Sequence, residues 1–301
     1  MMRAYLQLLR LPNVFTAMAD ILLGFLFTHR GLEPAGEFAL LLAASSLMYL
    51  AGMALNDVFD LEQDTRERPS RPLPSARISL AAARRLGFGM LAAGLALGWV
   101  ASSLTGDVRS GVVATALAVM VFLYDRVLKR TPLGPLAMGA CRTLNVLLGM
   151  SAADGGWQAV NWVVAGAIGL YIVGVTIFAR KEAARSLRPQ LALGLGVMIA
   201  GLALLASLPA WATGREWPPI DVPGRWHIFW GLLSLLIAWR CLRAILDPRP
   251  QFVQDAVRNS IFSLVILDAG ACLAVQDFQW GVVILALLIP TMTLGRWIYS
   301  T

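Results

Sequence analysis

The chain has 301 residues, 58% of them hydrophobic and only 14% charged, and a formal net charge of +7. Its mean hydropathy is +0.68. This balance excludes a water-soluble domain and predicts an all-α, polytopic membrane bundle, while the absence of any recognition-module pattern excludes nucleic acid as the partner of the positive charge.

In chain order, the first apolar run covers about 11–29. It follows Arg3 and Arg10, outruns a signal-peptide core and lacks a small-residue cleavage site, so it reads as the first span. Asn13 and Asp20 share one face of it. Further runs near the roughly 20 residues needed to cross a bilayer lie at 38–56, 84–104, 108–124, 132–152, 158–178, 190–210, 226–246, 258–275 and 279–298. The runs at 132–152 and 258–275 carry Gly, Asn or Asp and read as short, broken or tilted, so the expected count is nine to ten helices in a single domain over 1–301. Continuous rather than alternating apolar runs exclude a β-barrel. Cys141, Cys241 and Cys272 lie in or beside apolar runs without metal-ligand spacing and read as packed thiols.

Charge orients the chain. With the N-terminus cytoplasmic, one set of connections holds Arg66, Arg68, Arg71, Arg77, then Arg126, Lys129 and Arg130, then Arg180, Lys181, Arg185 and Arg188, whereas the opposite set offers Arg30, Arg109, Arg215 and Arg225. The positive-inside rule favours that orientation, and contact with anionic lipid headgroups accounts for many of these residues without any active site.

The acids require more. The stretch "NDVFDLEQDTRERPSRPLPS" at 56–75 places five carboxylates and three arginines directly after an apolar run. If the second span continues as a helix, Asn56, Asp60 and Asp64 share one face at successive turns, with Asp57 beside them. Like charges at that spacing repel unless a hard cation sits against them, and Mg²⁺ combines a few carboxylate oxygens with water and phosphate oxygens. Arg68 and Arg71, among Pro69, Pro72 and Pro74, lie on a segment that cannot continue as a helix and is able to fold back over the acids. "YDRVLKRTPLG" at 124–134 adds Tyr124, Lys129 and Arg130 on the same side. Two basic loops and an acid row describe an anion site at the membrane surface.

"NDVFDLEQD" is similar to the NDxxDxxxD motif of the UbiA superfamily of intramembrane prenyltransferases, "RPSRPLPS" resembles that family's Arg-Pro continuation, and "YDRVLKR" resembles its Tyr…Lys-Arg motif. The resemblance extends over about residues 10–300. It implies a helical bundle of two pseudo-repeated halves that transfers a polyprenyl group from its diphosphate, with Mg²⁺, to an aromatic or other small acceptor within the membrane. By that resemblance Asn56, Asp60 and Asp64 are metal ligands; Tyr124, Lys129 and Arg130 act with them; Asp57, Arg68 and Arg71 bind substrate; and Asn13, Asp20 and Asn145 are acceptor-side candidates, although Asp20 and Asn145 equally suit helix pairing.

The family's second acidic loop corresponds here to "FARKEAARSLRP" at 178–189, where Glu182 and Arg185 keep their places but Arg180 and Ala184 stand where aspartates belong. Arg180 and Lys181 would place fixed cations near the diphosphate and lessen the need for a second ion. The alternative is a catalytically impaired UbiA-fold protein that binds or moves an isoprenoid lipid. The start "LLRLPNVFTAMAD" and the Arg-containing loop resemble the EboC-like branch. Expected partners are a prenyl diphosphate, a small-molecule acceptor and membrane lipids; the expected location is a bacterial inner membrane, with the site on the cytoplasmic side.

Overall fold

The computed structural model describes residues 2–180, 186–211 and 223–299. Every regular element among them is helical, in keeping with a chain whose backbone groups must be satisfied within each segment in lipid. A short helix α1 (Met2–Leu8) ends where Arg10 turns left-handed at φ 45° and Pro12 opens a 3₁₀ turn, after which α2 (Val14–Thr28) begins. There follow α3 (Ala35–Phe59), α4 (Leu61–Glu67), α5 (Leu80–Thr105), α6 (Arg109–Arg126), α7 (Gly134–Met150), α8 (Ala159–Ala179), α9 (Arg188–Ala206), α10 (Leu208–Trp211), α11 (Pro223–Leu246), α12 (Pro250–Cys272), α13 (Phe278–Ala286) and α14 (Leu288–Tyr299).

Local chemistry sets many of these ends. Ser79 caps α5, its hydroxyl accepting from the Ala82 N–H at 3.2 Å, and Gly106 closes that helix at φ 70°, a conformation glycine adopts without a Cβ penalty. Pro135, Pro189 and Pro250 stand in the first turns of α7, α9 and α12, where a missing N–H costs nothing. Pro69 stops α4 one residue early by restricting Arg68.

Among the described residues, seven helical stretches are long and apolar enough to cross a bilayer: 11–28, 35–59, 80–105, 159–179, 188–206, 224–246 and 278–298. Between them α6, α7 and α12 carry more charge or fewer residues, with Asp125 and Arg126, Arg142, and Asp255, Arg258 and Asp268 respectively. The outer faces are apolar, as lipid requires: on α11, Leu232, Leu235, Leu236 and Trp239 are all exposed.

Small residues bring the helices together, since lipid supplies no hydrophobic drive for helix pairing. A Cβ on Gly24 of α2 would lie 2.2 Å from the Val146 carbonyl, and one on Gly149 of α7 would lie 2.6 Å from that of Ile21. The pair lets α2 and α7 touch backbone to backbone, and this contact sets two walls of the site. Trp226, at the start of α11, is buried and donates to the Ala206 carbonyl at 2.8 Å.

Candidate active site

The acid-rich stretch does not run on as one straight helix. α3 stops at Phe59, Asp60 adopts φ −98° and ψ 6°, and α4 restarts at Leu61. The polar residues of this stretch fall into two pairs with different partners. Asp57 and Asp64, seven residues apart and both buried, meet one guanidinium, Arg71 Nη1, at 3.3 and 2.6 Å; Asp57 also accepts from Arg10 at 2.9 Å. Asn56 and Asp60 face the other way. Lys129 Nζ lies 2.7 Å from one Asp60 oxygen and Arg130 lies 3.1 Å from the other, while Asn56 Nδ2 donates to Asp125 Oδ1 at 2.9 Å.

The segment after α4 folds back over the acids. It is pinned by Arg77, which donates to the Ser70 carbonyl at 2.7 Å, and by burial of Leu73 and Ile78 against Leu8, Ala54, Val58 and Ala83. That small apolar cluster fixes the approach of Arg71. Arg68 is half-buried and forms no ion pair among the described residues. The exposed Glu62 pairs only with Arg66 on α4, a solvated contact of little energetic weight.

Beneath this rim a cavity of about 340 Å³ runs between α2, α3, α6, α7, α8 and α12. Asn56, Tyr124 and Asp125 line its upper end, Met48, Leu117, Val121 and Leu264 its walls, and Ser45, Tyr49, Arg142 and Asn145 its floor; Asn13 and Arg10 also line it. The floor is a buried polar network. Arg142 donates to Asp20 at 2.7 Å and to the Thr16 hydroxyl at 2.8 Å, and its guanidinium lies 5.5 Å from the Tyr49 ring centroid. Asn145 Nδ2 donates to Asp20 at 2.8 Å and to the Ala17 carbonyl at 3.0 Å, and its Oδ1 accepts from Ser45 at 2.6 Å. Asp268 of α12, fully buried, lies against Asp20.

The structure therefore brings Asn56, Asp57, Asp60, Asp64, Arg71, Lys129 and Arg130 together, with Tyr124 at the edge of the cavity. Asn145 and Asp20 meet at the floor, Asn13 lies on the wall, and Asp20 sits behind Arg142, away from the opening. Arg180 is exposed, and its guanidinium donates to the Thr131 carbonyl at 3.1 Å, beside the rim rather than in the cavity. Lys181, Glu182 and Arg185 lie outside the described residues. Arg10, Asp125 and Arg142 were not singled out from the sequence. Asp125 adjoins Tyr124 in the basic motif, and Arg142 is a charge inside an apolar run, by itself a mark of a buried function or pairing.

No three His, Cys, Asp or Glu side chains converge on one point among the described residues. Such a set does not cage a metal unaided. It does fit Mg²⁺, which takes hard oxygens from one or two carboxylates and leaves its other positions to water and phosphate.

Known proteins agree with this architecture. The model of the UbiA prenyltransferase family matches residues 17–263. Among curated proteins, a digeranylgeranylglyceryl phosphate synthase of Metallosphaera sedula is 31% identical over 164 residues, covering 54% of this chain and 56% of the relative. One from Ignicoccus hospitalis is 34% identical over 157 residues, covering 52% and 49%. The matches thus span about half the length of these archaeal relatives. Among solved structures, a UbiA homologue from Aeropyrum pernix superposes with a TM-score of 0.62 at 19% identity, covering 86% of this chain and 96% of the other. A UbiA homologue from Archaeoglobus fulgidus, bound to DMAPP and Mg²⁺, superposes with a TM-score of 0.63 at 14% identity, covering 94% and 99%. With the family model matching well over half of its length, and with apolar helices throughout, this integral membrane protein belongs to the UbiA prenyltransferase family.

Proposed function

We propose that the chain transfers a prenyl group from a prenyl diphosphate to a small acceptor in the membrane, with Mg²⁺ as cofactor. The observation that carries this reading is the joining of a rim of paired acids and cations to an apolar cavity with a polar floor. Relatives named for prenyl-lipid synthesis and a fold neighbour bound to DMAPP and Mg²⁺ support it.

Asn56 and Asp60 on one side of the break, and Asp64 on the other, would hold Mg²⁺, whose chemistry is to neutralise charge on the departing diphosphate. Arg71, Lys129 and Arg130 bind the phosphate oxygens; guanidinium and ammonium groups already within hydrogen-bond distance of the acids are placed to stabilise the charge that develops there. The walls of Met, Leu and Val hold the prenyl tail and exclude water from the reacting carbon. The acceptor, aromatic or otherwise, presents its polar group to Asn13, Asn145 and Arg142.

The reading includes one domain over 1–301 with ten crossings, in which α6, α7 and α12 join the seven strongly apolar spans. An even count returns the C-terminal helix to the side of the N-terminus, and Arg3 and Gln7 both donate to the Ile298 carbonyl, at 3.3 and 3.2 Å. The arginine distribution puts the rim on the cytoplasmic face. The two-halved plan rests on the shared spacing of Asp60, Glu62 and Asp64 with Arg180, Glu182 and Ala184, each set following a span.

Purified protein in lipid nanodiscs tests the reading. Incubated with geranylgeranyl diphosphate, Mg²⁺ and a membrane-lipid extract, it should yield a prenylated product and free diphosphate, both lost on adding EDTA. Binding of the prenyl diphosphate with no product and no diphosphate release would leave the lipid-binding alternative.

A further inference from the structure

Four acids lie in the rim, and three of them have cationic partners. Asp57 has Arg10 and Arg71, Asp60 has Lys129 and Arg130, and Asp64 has Arg71. Asp125 has none. It is 3% exposed and lines the cavity, and its hydrogen bonding consists of the 2.9 Å contact from Asn56 Nδ2 to Oδ1. Its Oδ2 faces Gly52 of α3, where a Cβ would stand 3.7 Å away. A carboxylate buried without an opposite charge is costly, and a neutral amide offsets that cost only in part.

The pairing also fixes Asn56. Because the amide nitrogen donates to Asp125, the amide oxygen is the end left to accept or ligate. Two hard oxygens, Asn56 Oδ1 and Asp125 Oδ2, thereby belong to one unit at the top of the cavity. At the two positions where the family resemblance implies aspartates in the second loop, the chain carries Arg180 and Ala184, and Arg180 reaches outward to Thr131.

We propose that Asp125 is a divalent-cation ligand of the diphosphate site, acting with Asn56 and supplying a carboxylate from the last turn of α6. The inference rests on the prenyl-diphosphate reading given above. An ion there would complete its shell with water and phosphate, as Mg²⁺ does when few protein carboxylates are offered.

The test uses the full chain in detergent with inorganic diphosphate as the probe, following Mn²⁺ by electron paramagnetic resonance and Mg²⁺ by competition. Asp125→Asn keeps the size, and its amide oxygen still accepts from Asn56, so only the charge and ligand strength change. It should raise the half-saturating Mn²⁺ or Mg²⁺ concentration at least about tenfold, and Asp125→Glu should recover part of the loss. Titrations of Asp125→Asn that superimpose on wild type, while Asp60→Asn shifts, would overturn the assignment and leave the prenyl-diphosphate reading standing. A shift in Asp125→Ala but not in Asp125→Asn would reduce Asp125 to orienting the Asn56 amide, and so also overturn it. Metal-independent diphosphate binding in wild type would remove both readings together.

Discussion

The molecule holds two charged clusters, one at the rim and one at the cavity floor, built on different terms. At the rim, Asp57, Asp60 and Asp64 are shared among Arg10, Arg71, Lys129 and Arg130, several of them open to water. At the floor, Arg142 is the cation that pairs with Asp20, with Asn145 donating beside it, while Asp268 has both oxygens without a hydrogen-bond donor. A surplus of cations and access to water let the rim exchange partners, which an anionic substrate requires. The floor is buried and its groups are held by one hydrogen-bonded set, so its geometry is fixed and its cost falls on stability. Charge placed near lipid thus divides into a rim able to exchange partners and a floor whose polar groups are held in place.

The largest effect should follow removal of the floor's only cation. Arg142→Ala leaves Asp20 buried and unpaired, and breaking such a pair costs about 3–5 kcal/mol; thermal unfolding in detergent should show a clear drop, with the Asp20→Asn, Arg142→Met double change recovering part of it. Next is the close contact of α2 and α7. Gly149→Leu drives a side chain into the Ile21 backbone and should cost about 1–3 kcal/mol by the same assay. Asp268→Asn should be close to neutral or stabilising, since it replaces a carboxylate whose oxygens lack donors by an uncharged amide able to donate to Asp20. Smallest is Glu62→Gln, which removes the exposed pair with Arg66 and should shift stability by at most about 0.5 kcal/mol with no change in diphosphate binding. Equal losses from Arg142→Ala and Glu62→Gln would erase the distinction between the clusters.

The rim was legible because its chemistry is contiguous. Residues 56–75 and 124–134 put acids, arginines and prolines in two short stretches, and the fold-back of Arg71 over the acids follows from prolines that forbid a helix. What the sequence did not show is the break at Asp60 and the division of partners, with Asp60 meeting Lys129 and Arg130 while Asp64 meets Arg71. The floor joins Thr16, Asp20, Ser45, Arg142, Asn145 and Asp268 from four helices. Lone polar residues in apolar runs declare that they need a partner but not which one. Asp125 was hidden for a different reason: surrounded in sequence by Tyr124, Arg126, Lys129 and Arg130, it reads as one member of an ion-paired loop, and only the structure shows that none of those cations forms an ion pair with it.

The central claim is that the rim binds a diphosphate through a metal held by its acids. Isothermal titration of a non-reactive prenyl diphosphate analogue into wild type and Asp60→Asn, each with Mg²⁺ and with EDTA, tests it most directly. Wild type should bind with Mg²⁺ and lose most of that affinity in EDTA, whereas Asp60→Asn should bind weakly in both conditions while unfolding at nearly the wild-type temperature. Wild-type affinity and wild-type metal dependence in Asp60→Asn would contradict the account.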